Sequence, residues 1–577
     1  MSDTTPTPVG PGAISGEAWR VTILYSALTA LLAYPLTLHP ASMLMMDAPD
    51  THLFMWTLGW DAHAFLHQPL SIFDANIYFP QRLTLAYSEN LIGSALIAAP
   101  VFWLGGTPVL ALNIVVLLSP VLCGLGAYLL ARRVGLDPIG ATLCGLVFAF
   151  SPARFFRVTQ LHLATVQWIP FTLAYLHAYL DRGRARDLRI AAGFFSLQAI
   201  TSGHGASFAT LAVMLLLGYR VILGEPVAIV RRVRDLGIAG AALLAPAVLI
   251  YLPYRAVQSE LGLARSLEDW TPRPESYLAS PTTLHTWLLS WLPGPPINDT
   301  ANAFLFPGYL PVLLVAVALW WPTARSDQRA APATQTGNVV LGWVASHRRD
   351  RWRFYGLLAF VCVWLSAGTP LHLWSWVNGL PGLSLIRVPS RFMILAMLGI
   401  AVLAGRGFER LALCVTPRNR RLGAAAVGLL MVVEFAGIPL QLAQFQVPTP
   451  AAERWLSQQP TPFVVAEIPV GTKARFQTTY MLHSMVHWQK TIHGYSGVQA
   501  PLHDELFERL KSFPDEASLG RLEELGVSYV VIHPDLFTRR DWADVEARLP
   551  KFSERLPLVH EEDGGLVYSL PHTRAAH

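Results

Sequence analysis

Long apolar stretches alternate with short polar loops along the chain as far as about residue 442, where the pattern changes. A membrane-spanning helix needs about twenty predominantly apolar residues, and several of these stretches reach that length. Where a stretch is shorter, glycine, proline or charged residues mark its ends. The pattern predicts eleven membrane-spanning helices, over residues 18–38, 109–131, 140–150, 161–180, 190–200, 208–223, 236–252, 304–321, 354–365, 392–404 and 422–442.

One further apolar stretch, residues 91–104, is short and is interrupted by Pro100. We interpret it as a re-entrant or interfacial helix that does not cross the membrane. The basic clusters support this interpretation, because cytoplasmic loops carry an excess of lysine and arginine. All clusters then fall on the side of the N-terminus: residues 132–133, 182–189, 220–234, 325–353 and 406–421. The alternate loops lie outside: residues 43–80, 151–160, 201–205, 255–302 and 368–390.

The segment after residue 445 has the composition of a soluble domain. FVVAEIPVG, VSYVVIHPD and LVYSLP predict strands, because they are rich in valine, isoleucine and tyrosine between glycine or proline. PLHDELFERLKSF and EASLGRLEELG predict helices, with leucine at helical spacing. We therefore divide the chain into a flexible cytoplasmic tail (residues 1–17), a transmembrane domain (18–444) with a first outer loop (40–90) and a large outer loop (255–303), and a soluble domain (445–577). The predicted fold class is a polytopic α-helical membrane protein with a small C-terminal α/β periplasmic domain.

Composition agrees with this class, since 53% of the residues are hydrophobic and only 14% are charged. The formal net charge of +5 is explained by the cytoplasmic loops, so nucleic acid is not an expected partner. The four cysteines lie in or beside apolar segments without CxxC spacing, and we interpret them as small buried hydrophobic residues.

The first outer loop concentrates acids and histidines among aromatic residues, around Asp47, Asp50, Trp56 and Trp60. Ionisable groups beside a membrane helix are candidate functional sites. The alternative is a solvated loop that leads into an amphipathic interfacial helix, with the two tryptophans as interfacial aromatic residues.

Arginines and histidines recur in the other outer loops, and they are the candidate substrate-binding residues of this region: Arg154, Arg157, His162, His204, Arg387 and Arg391. A guanidinium group binds phosphate through two parallel hydrogen bonds, which suits an anionic lipid head group. The alternative for each arginine is a membrane-interface anchor, and for His204 a packed polar residue. In the soluble domain, the stretch HWQKTIHGYSGVQAP adds His493 and Tyr495, either on a loop that reaches the membrane site or on one that packs against its own domain.

Several segments resemble the GT-C superfamily of membrane glycosyltransferases, and more narrowly bacterial multi-spanning proteins of that kind: DTHLFMWTLGWDAH, LARRVGLDPIGATLCGLVFAFSPARF, FLFPGYLPVLL, GLSLIRVPSRFMILAMLGIAVLAGRGFERL and GVSYVVIHPD. The resemblance implies a GT-C-like fold in the bacterial inner (plasma) membrane. It implies inverting transfer of a sugar from a polyprenyl-phosphate donor to a glycan or lipid acceptor on the outer side. Asp50 best matches the catalytic base of the first outer loop, and Asp47 is second. A divalent cation is the candidate cofactor. One departure is Asn302, which stands where the family has an acid ahead of FLFPG, with Asp299 nearby.

Two other functions stay open at this point. A transporter or flippase for lipid-linked glycans is one, although the sequence lacks the internal repeats typical of transporters. A non-catalytic binding or assembly protein is the other, with the soluble domain as its recognition part.

Overall fold

The computed structural model describes residues 11–223, 229–261, 271–290, 304–320, 351–368, 373–377, 386, 388–413, 415–471, 474–498 and 500–570. The chain forms two compact units, each assembled from separate parts of the sequence. The first unit contains Met1–Leu38, Val115–Leu249 and Leu263–Gln441. The second contains His39–Ile114, Ile250–Gly262 and Leu442–His577.

The described part of the first unit is helical. Its helices are α1 (Pro11–Leu32), α4 (Pro108–Arg133), α5 (Pro138–Phe150), α6 (Pro152–Phe155), α7 (Leu161–Ala164), α8 (Trp168–Arg182), α9 (Ala185–Thr201), α10 (Gly203–Ile222), α11 (Ile229–Leu261), α12 (Thr283–Leu289), α13 (Tyr309–Trp320), α14 (Arg353–Ser366), α15 (Leu373–Val377), α16 (Met393–Ala412) and α17 (Pro417–Phe435). Helix α4 begins, and α11 ends, in residues of the second unit.

Helix α16 is the centre of the first unit and is buried along almost its whole length. It packs against α5, α13 and α14. Glycines allow these close approaches: a Cβ atom at Gly407 would collide with the carbonyl oxygen of Leu314, and one at Gly405 with that of Gly140. Small residues at helix contacts are typical of membrane bundles, where van der Waals packing drives association.

Each of the eleven predicted spans overlaps one of these helices. Among the described residues, four helices are long and apolar enough to cross a membrane: Pro108–Arg133, Gly203–Ile222, Gly240–Leu261 and Pro389–Ala412. Shorter apolar helices of ten to seventeen residues accompany them at Ile92–Trp103, Pro138–Phe150, Tyr309–Trp320 and Arg353–Ser366. A polytopic helical membrane protein is therefore confirmed as the class, while the number of eleven crossings stays a prediction.

The predicted span 161–180 differs most clearly from the prediction of a continuous helix, because the helix is broken between α7 and α8. Gln198 is buried opposite the break, where its Nε2 donates to the Thr165 carbonyl at 3.0 Å and its Oε1 accepts from the Trp168 amide at 3.2 Å. Non-helical backbone at membrane depth is stable only where such partners satisfy it. The broken segment therefore has an internal polar support that the hydrophobic pattern did not reveal.

The second unit combines helices with a five-stranded sheet. Its elements are β1 (Met43–Leu44), α2 (Pro49–His67), α3 (Ile92–Trp103), β2 (Ala443–Gln444), α18 (Ala451–Leu456), β3 (Val464–Ile468), α19 (Ala474–His483), β4 (Lys490–Thr491), α20 (Pro501–Leu510), α21 (Glu516–Glu524), β5 (Tyr529–Ile532), α22 (Arg539–Arg548), β6 (Leu558–Glu562) and β7 (Gly565–Ser569). The predicted strands overlap β3, β5 and β7, and the two predicted helices overlap α20 and α21.

The sheet has the order β4-β3-β5-β7-β6. Strands β4 and β5 run parallel to β3, whereas β7 is antiparallel to both β5 and β6. Both faces of the sheet are covered by apolar side chains, including those of α18 on one face and of α20 and α21 on the other. This explains why β3 is buried at every position.

The first-loop residues and the C-terminal residues share one folded body in this unit. Strands β1 and β2 pair antiparallel, with Met43 opposite Gln444. Lys490 donates from Nζ to the carbonyls of Asp74 and Ala75, each at 2.9 Å. The Asn76 side chain donates to Ser484 Oγ at 3.1 Å. Segment 39–114 is therefore an integral part of the same body as the sheet.

Candidate functional site

Asp50 lies in the first turn of α2, which begins at Pro49. Proline at the first helical position is preorganised for helix, and a carboxylate in the first turn is stabilised by the helix dipole. The Asp50 residue is exposed, and the Tyr495 hydroxyl donates to its Oδ1 at 2.9 Å. An accessible carboxylate with one oxygen oriented by a phenol can accept a proton from a bound hydroxyl.

Asp47 is engaged differently. Its Oδ1 lies 2.8 Å from His52 Nε2, and its Oδ2 lies 3.5 Å from Arg475. His52 Nδ1 in turn lies 3.1 Å from the Thr478 hydroxyl. Burial lowers the pKa of His52, while the neighbouring Asp47 carboxylate opposes that shift. Both acids are exposed, but Asp47 links the start of α2 to α19 through both of its carboxylate oxygens, whereas Tyr495 contacts Oδ1 of Asp50.

Trp56 and Trp60 lie inside the second unit, each about 1% exposed. Their rings stack with centroids 6.2 Å apart, and Trp60 Nε1 donates to the Ile72 carbonyl at 2.8 Å. Both side chains belong to α2 and pack it against the interior of the unit, and neither presents an open face to a ligand. They follow helical spacing, so the sequence alone could not separate a core role from an interfacial one.

His493 is also fully buried, two residues before Tyr495 in the chain. Its Nε2 accepts from the Glu467 amide at 2.8 Å, and burial lowers its pKa to about 3, so the ring is neutral. Its Nδ1 therefore carries the proton and faces Gln477 Oε1 at 3.3 Å. His493 fixes the loop from which Tyr495 reaches Asp50, so its contact with Asp50 is indirect.

The first unit contains a pair of buried arginines in the short loop between α5 and α7. Arg154 is fully buried beside the Cys123 thiol and lies 6.0 Å from the centre of the Phe148 ring, and in the described part of the chain none of its three guanidinium nitrogens has an oxygen or nitrogen hydrogen-bond partner. Arg157 is 4% exposed and donates from Nη1 to Gln160 at 3.1 Å, while its Nε and Nη2 have no such partner there. Burial lowers the pKa of Arg157 to about 10, so it stays charged at neutral pH. Buried donors are normally satisfied, so this pair is suited to an anion.

Three further predicted residues lie in the same unit. Arg391 Nη1 contacts His204 Nε2. Since arginine can only donate, that nitrogen accepts and His204 is neutral there. The rings of His162 and His204 lie 5.1 Å apart. Helix α7, which carries His162, packs against α10, and α6, which carries Arg154, packs against α16. Arg387, Asn302 and Asp299 lie outside the described residues.

One group of residues that the sequence reasoning missed could hold a metal ion. Glu453, Glu467, His483 and His533, all in the second unit, each offer one ligand atom, and these atoms lie within 4.8 Å of one another. The sequence does show Glu467 inside the apolar strand FVVAEI and His533 directly after VVI, which are unusual positions for ionisable residues. The four positions have no short spacing in sequence, so no metal motif was visible.

The second unit also contains a cavity of about 590 Å³, lined mainly by apolar and aromatic side chains around Gly59, His63, Trp103 and Trp488. His63 stacks between His67 and Trp488, with centroid distances of 4.2 and 4.8 Å. Burial, assisted by His67, lowers the pKa of His63 to about 4, so the His63 ring is neutral at physiological pH.

No protein-family model matches the chain, and no curated protein matches it in sequence. Among solved structures, the arabinofuranosyltransferase AftD from Mycobacteria is similar with a TM-score of 0.55 and 15% identity, over 98% of this chain and 40% of that one. The oligosaccharyltransferase of Archaeoglobus fulgidus, solved with Zn and sulfate, gives a TM-score of 0.47 and 14% identity, over 96% of this chain and 74% of that one. ArnT from Cupriavidus metallidurans gives 0.37 and 12%, over 96% of this chain and 98% of that one.

The similarity to AftD confirms the GT-C-like fold that the sequence predicted. This chain spans 40% of the AftD chain at 15% identity, and the similarity is one of fold.

Proposed function

We propose that this protein is a GT-C-type membrane glycosyltransferase. It transfers a sugar from a polyprenyl-phosphate donor to a glycan or lipid acceptor, with inversion at the anomeric carbon. The observation that carries this proposal is the buried arginine pair, Arg154 and Arg157: five of their six guanidinium nitrogens have no hydrogen-bond partner among the described residues, and the sixth, Arg157 Nη1, donates to Gln160. A lipid phosphate supplies the charge and the acceptor oxygens that such a pair needs.

In this mechanism Asp50 takes the proton of the acceptor hydroxyl. The hydroxyl oxygen attacks the anomeric carbon as the bond between that carbon and the phosphate oxygen breaks. The lipid phosphate leaves with the bonding electrons, and Arg154 and Arg157 stabilise its developing charge. Arg391, with His204 and His162, is proposed to bind the rest of the donor head group, and Arg387 is proposed to assist. Tyr495 orients Asp50 through the hydroxyl that donates to it.

The composition of the second unit supports an outer location for Asp50. Three parts of the chain that were predicted to lie outside belong to this one body: the first loop, the start of the large loop and the C-terminal segment. Tyr254, from the start of the large loop, donates to the Ser88 carbonyl at 2.8 Å. Parts that fold together occupy the same side of a membrane. The ten proposed spans between residues 114 and 442 are an even number, which is consistent with these parts lying on one side.

The deciding experiment supplies the purified full-length protein with a polyprenyl-phosphate sugar labelled in the lipid. Release of labelled polyprenyl phosphate, dependent on protein and on an added glycan or lipid acceptor, is the expected result. Movement of intact donor across a vesicle bilayer without release would instead identify a flippase. Saturable donor binding with neither release nor movement would identify a binding or assembly protein.

A reporter fusion tests the proposed side. Alkaline phosphatase fused after residue 442 is expected to be active, because it would lie in the periplasm, and the same reporter near residue 335 is expected to be inactive. The control exchanges the reporter for green fluorescent protein, which should fluoresce only at the second position. An inactive phosphatase after residue 442 would contradict an outer second unit.

A further inference from the structure

We propose that the second unit binds one zinc ion through Glu453, Glu467, His483 and His533. This site is separate from the Asp50 contact and does not depend on the glycosyltransferase proposal. Zinc is bound by histidine nitrogens and carboxylate oxygens, usually with four ligands. We propose a structural role, because the ligands join two helices and the ends of two strands of the sheet domain at one point.

The fold brings the four residues together from distant positions. Glu467 lies on β3, and His533 directly follows β5, which pairs with β3 so that Ile468 faces Ile532. His483 is the last residue of α19, and Glu453 lies in α18. All four are buried, with exposures of 0, 1, 3 and 6% for Glu453, Glu467, His483 and His533. Two carboxylates inside a domain core require compensation by positive charge.

The contacts of Glu467 converge on a single point. Its Oε2 lies 2.6 Å from His483 Nδ1 and 2.8 Å from His533 Nε2. Two ring nitrogens and a carboxylate oxygen thus face each other across a space where one ion can replace the shared protons. Around a tetrahedral zinc ion the ligand atoms lie roughly 3.3 Å apart. The two Glu467 contacts are shorter than this and the four ligand atoms lie within 4.8 Å of one another, so the side chains must adjust to accept the ion.

Glu453 supports the site independently of the Glu467 contacts. Neither of its carboxylate oxygens has a hydrogen-bond partner in the described part of the chain, although the residue is fully buried. The closest ion-pair contact is His487 Nε2, 3.0 Å from Oε2, in an orientation that does not form a hydrogen bond. A buried carboxylate without a donor is costly, and its oxygen atom belongs to the group that surrounds the proposed ion.

Charge and ligand type select the ion. Two carboxylates and two neutral imidazoles balance a divalent cation. Imidazole suits zinc and other late transition metals, whereas magnesium and calcium prefer all-oxygen sites. His487 lies beside the site: its Nδ1 accepts from the Gln489 amide at 2.9 Å, so its Nε2 carries the ring proton, 3.0 Å from Glu453 Oε2 and outside hydrogen-bond geometry.

The experiment measures zinc in the full-length protein, purified in detergent and dialysed against metal-free buffer. About one zinc per chain is expected, and removal by a chelator should lower the melting temperature, with recovery on adding zinc chloride but not magnesium or calcium chloride. Glu453→Gln keeps the side-chain size and should weaken zinc binding by at least about 10-fold. The matched control is Glu562→Gln, which changes an exposed glutamate 3.2 Å from His560 and should leave zinc binding unchanged.

X-ray absorption of the wild-type zinc protein keeps the test decisive if the Glu453 variant fails to fold. Nitrogen and oxygen ligands that include two imidazoles, without sulfur, are expected. Two results would overturn the proposal. One is wild-type protein that retains no more zinc than the Glu453 variant, which would leave a network of protonated histidines as the explanation. The other is a sulfur-containing coordination sphere, which would assign the zinc to cysteine.

Discussion

Asp50→Asn is expected to lower sugar transfer by about 10²–10⁴-fold, the usual cost of losing a general base. The substitution keeps the shape of the side chain and removes only its ability to accept a proton as a carboxylate. The Tyr495 hydroxyl can still donate to the remaining amide oxygen, so the local structure should persist. Donor binding should stay close to the wild-type value, because in the proposed mechanism this carboxylate acts on the acceptor. The measurement is initial-rate release of labelled polyprenyl phosphate, together with a donor-binding isotherm.

Two comparison variants, one near Asp50 and one distant in the sequence, make the result specific. Asp47→Asn should lower the rate less than Asp50→Asn does, and should mainly lower thermal stability, since Asp47 is paired with His52 and Arg475. Asp563→Asn changes an acid whose side chain is 76% exposed, and is expected to have no effect. Wild-type rates in both Asp50→Asn and Asp47→Asn would remove the first-loop acid from the mechanism and favour a binding protein.

Arg154→Gln is expected to lower transfer by about 10²–10³-fold, because one preorganised donor to the leaving phosphate is lost. Its effect on stability should be opposite to the effect of removing one partner of an ordinary buried ion pair. Breaking a buried pair leaves the other charge uncompensated, whereas in the described residues the neighbours of Arg154 are the neutral Cys123 thiol and the Phe148 ring, and no carboxylate pairs with it. The unliganded variant should therefore melt at the same temperature as the wild type or higher, while the donor protects it less.

A lysine variant and an exposed arginine are the controls for this prediction. Arg154→Lys retains the charge without the guanidinium fork, so activity should fall between the wild type and the glutamine variant. Arg82→Gln changes an arginine whose side chain is 83% exposed and should leave both transfer and melting temperature unchanged. If Arg154→Gln unfolded at a lower temperature and lost activity in proportion, Arg154 would be a structural residue and the anion site would have to lie elsewhere.

The helical part of the fold could be predicted because the signal is local. A stretch that must be apolar over many consecutive residues is visible in the sequence, and each predicted span contains a helix. The predicted ends of the spans were less accurate where hydrogen bonds to residues distant in the sequence determine where a helix ends. The predicted span 422–442 ends as a helix at Phe435, and Glu434 turns back to hydrogen-bond His285 at 2.9 Å and the amide of Leu310 at 3.2 Å.

The candidate site could be predicted only as a set of residue types. Composition indicated acids in the first loop and arginines in later loops, but not the partners of each acid. Those partners are distant in the sequence: Arg475 contacts Asp47, and Tyr495, which contacts Asp50, is 445 residues from it. The role of Trp56 and Trp60 depends on what covers them, which hydrophobicity does not specify. The metal-binding group was missed for the same reason, since its four members come from four separate elements.

The discontinuous second unit imposes an order on biosynthesis. Residues 39–114 leave the ribosome long before residues 442–577, a delay on the order of tens of seconds at about 5–20 residues per second. During that time α2 lacks α19, against which it packs in the finished protein. A chain that stops before the sheet leaves apolar surface of α2 uncovered, which makes it a substrate for chaperones and proteases. Removing the last 130 residues or so would therefore shorten the lifetime of the protein in the cell. A lower abundance of such a truncated protein would reflect its degradation, whatever the effect of the truncation on activity.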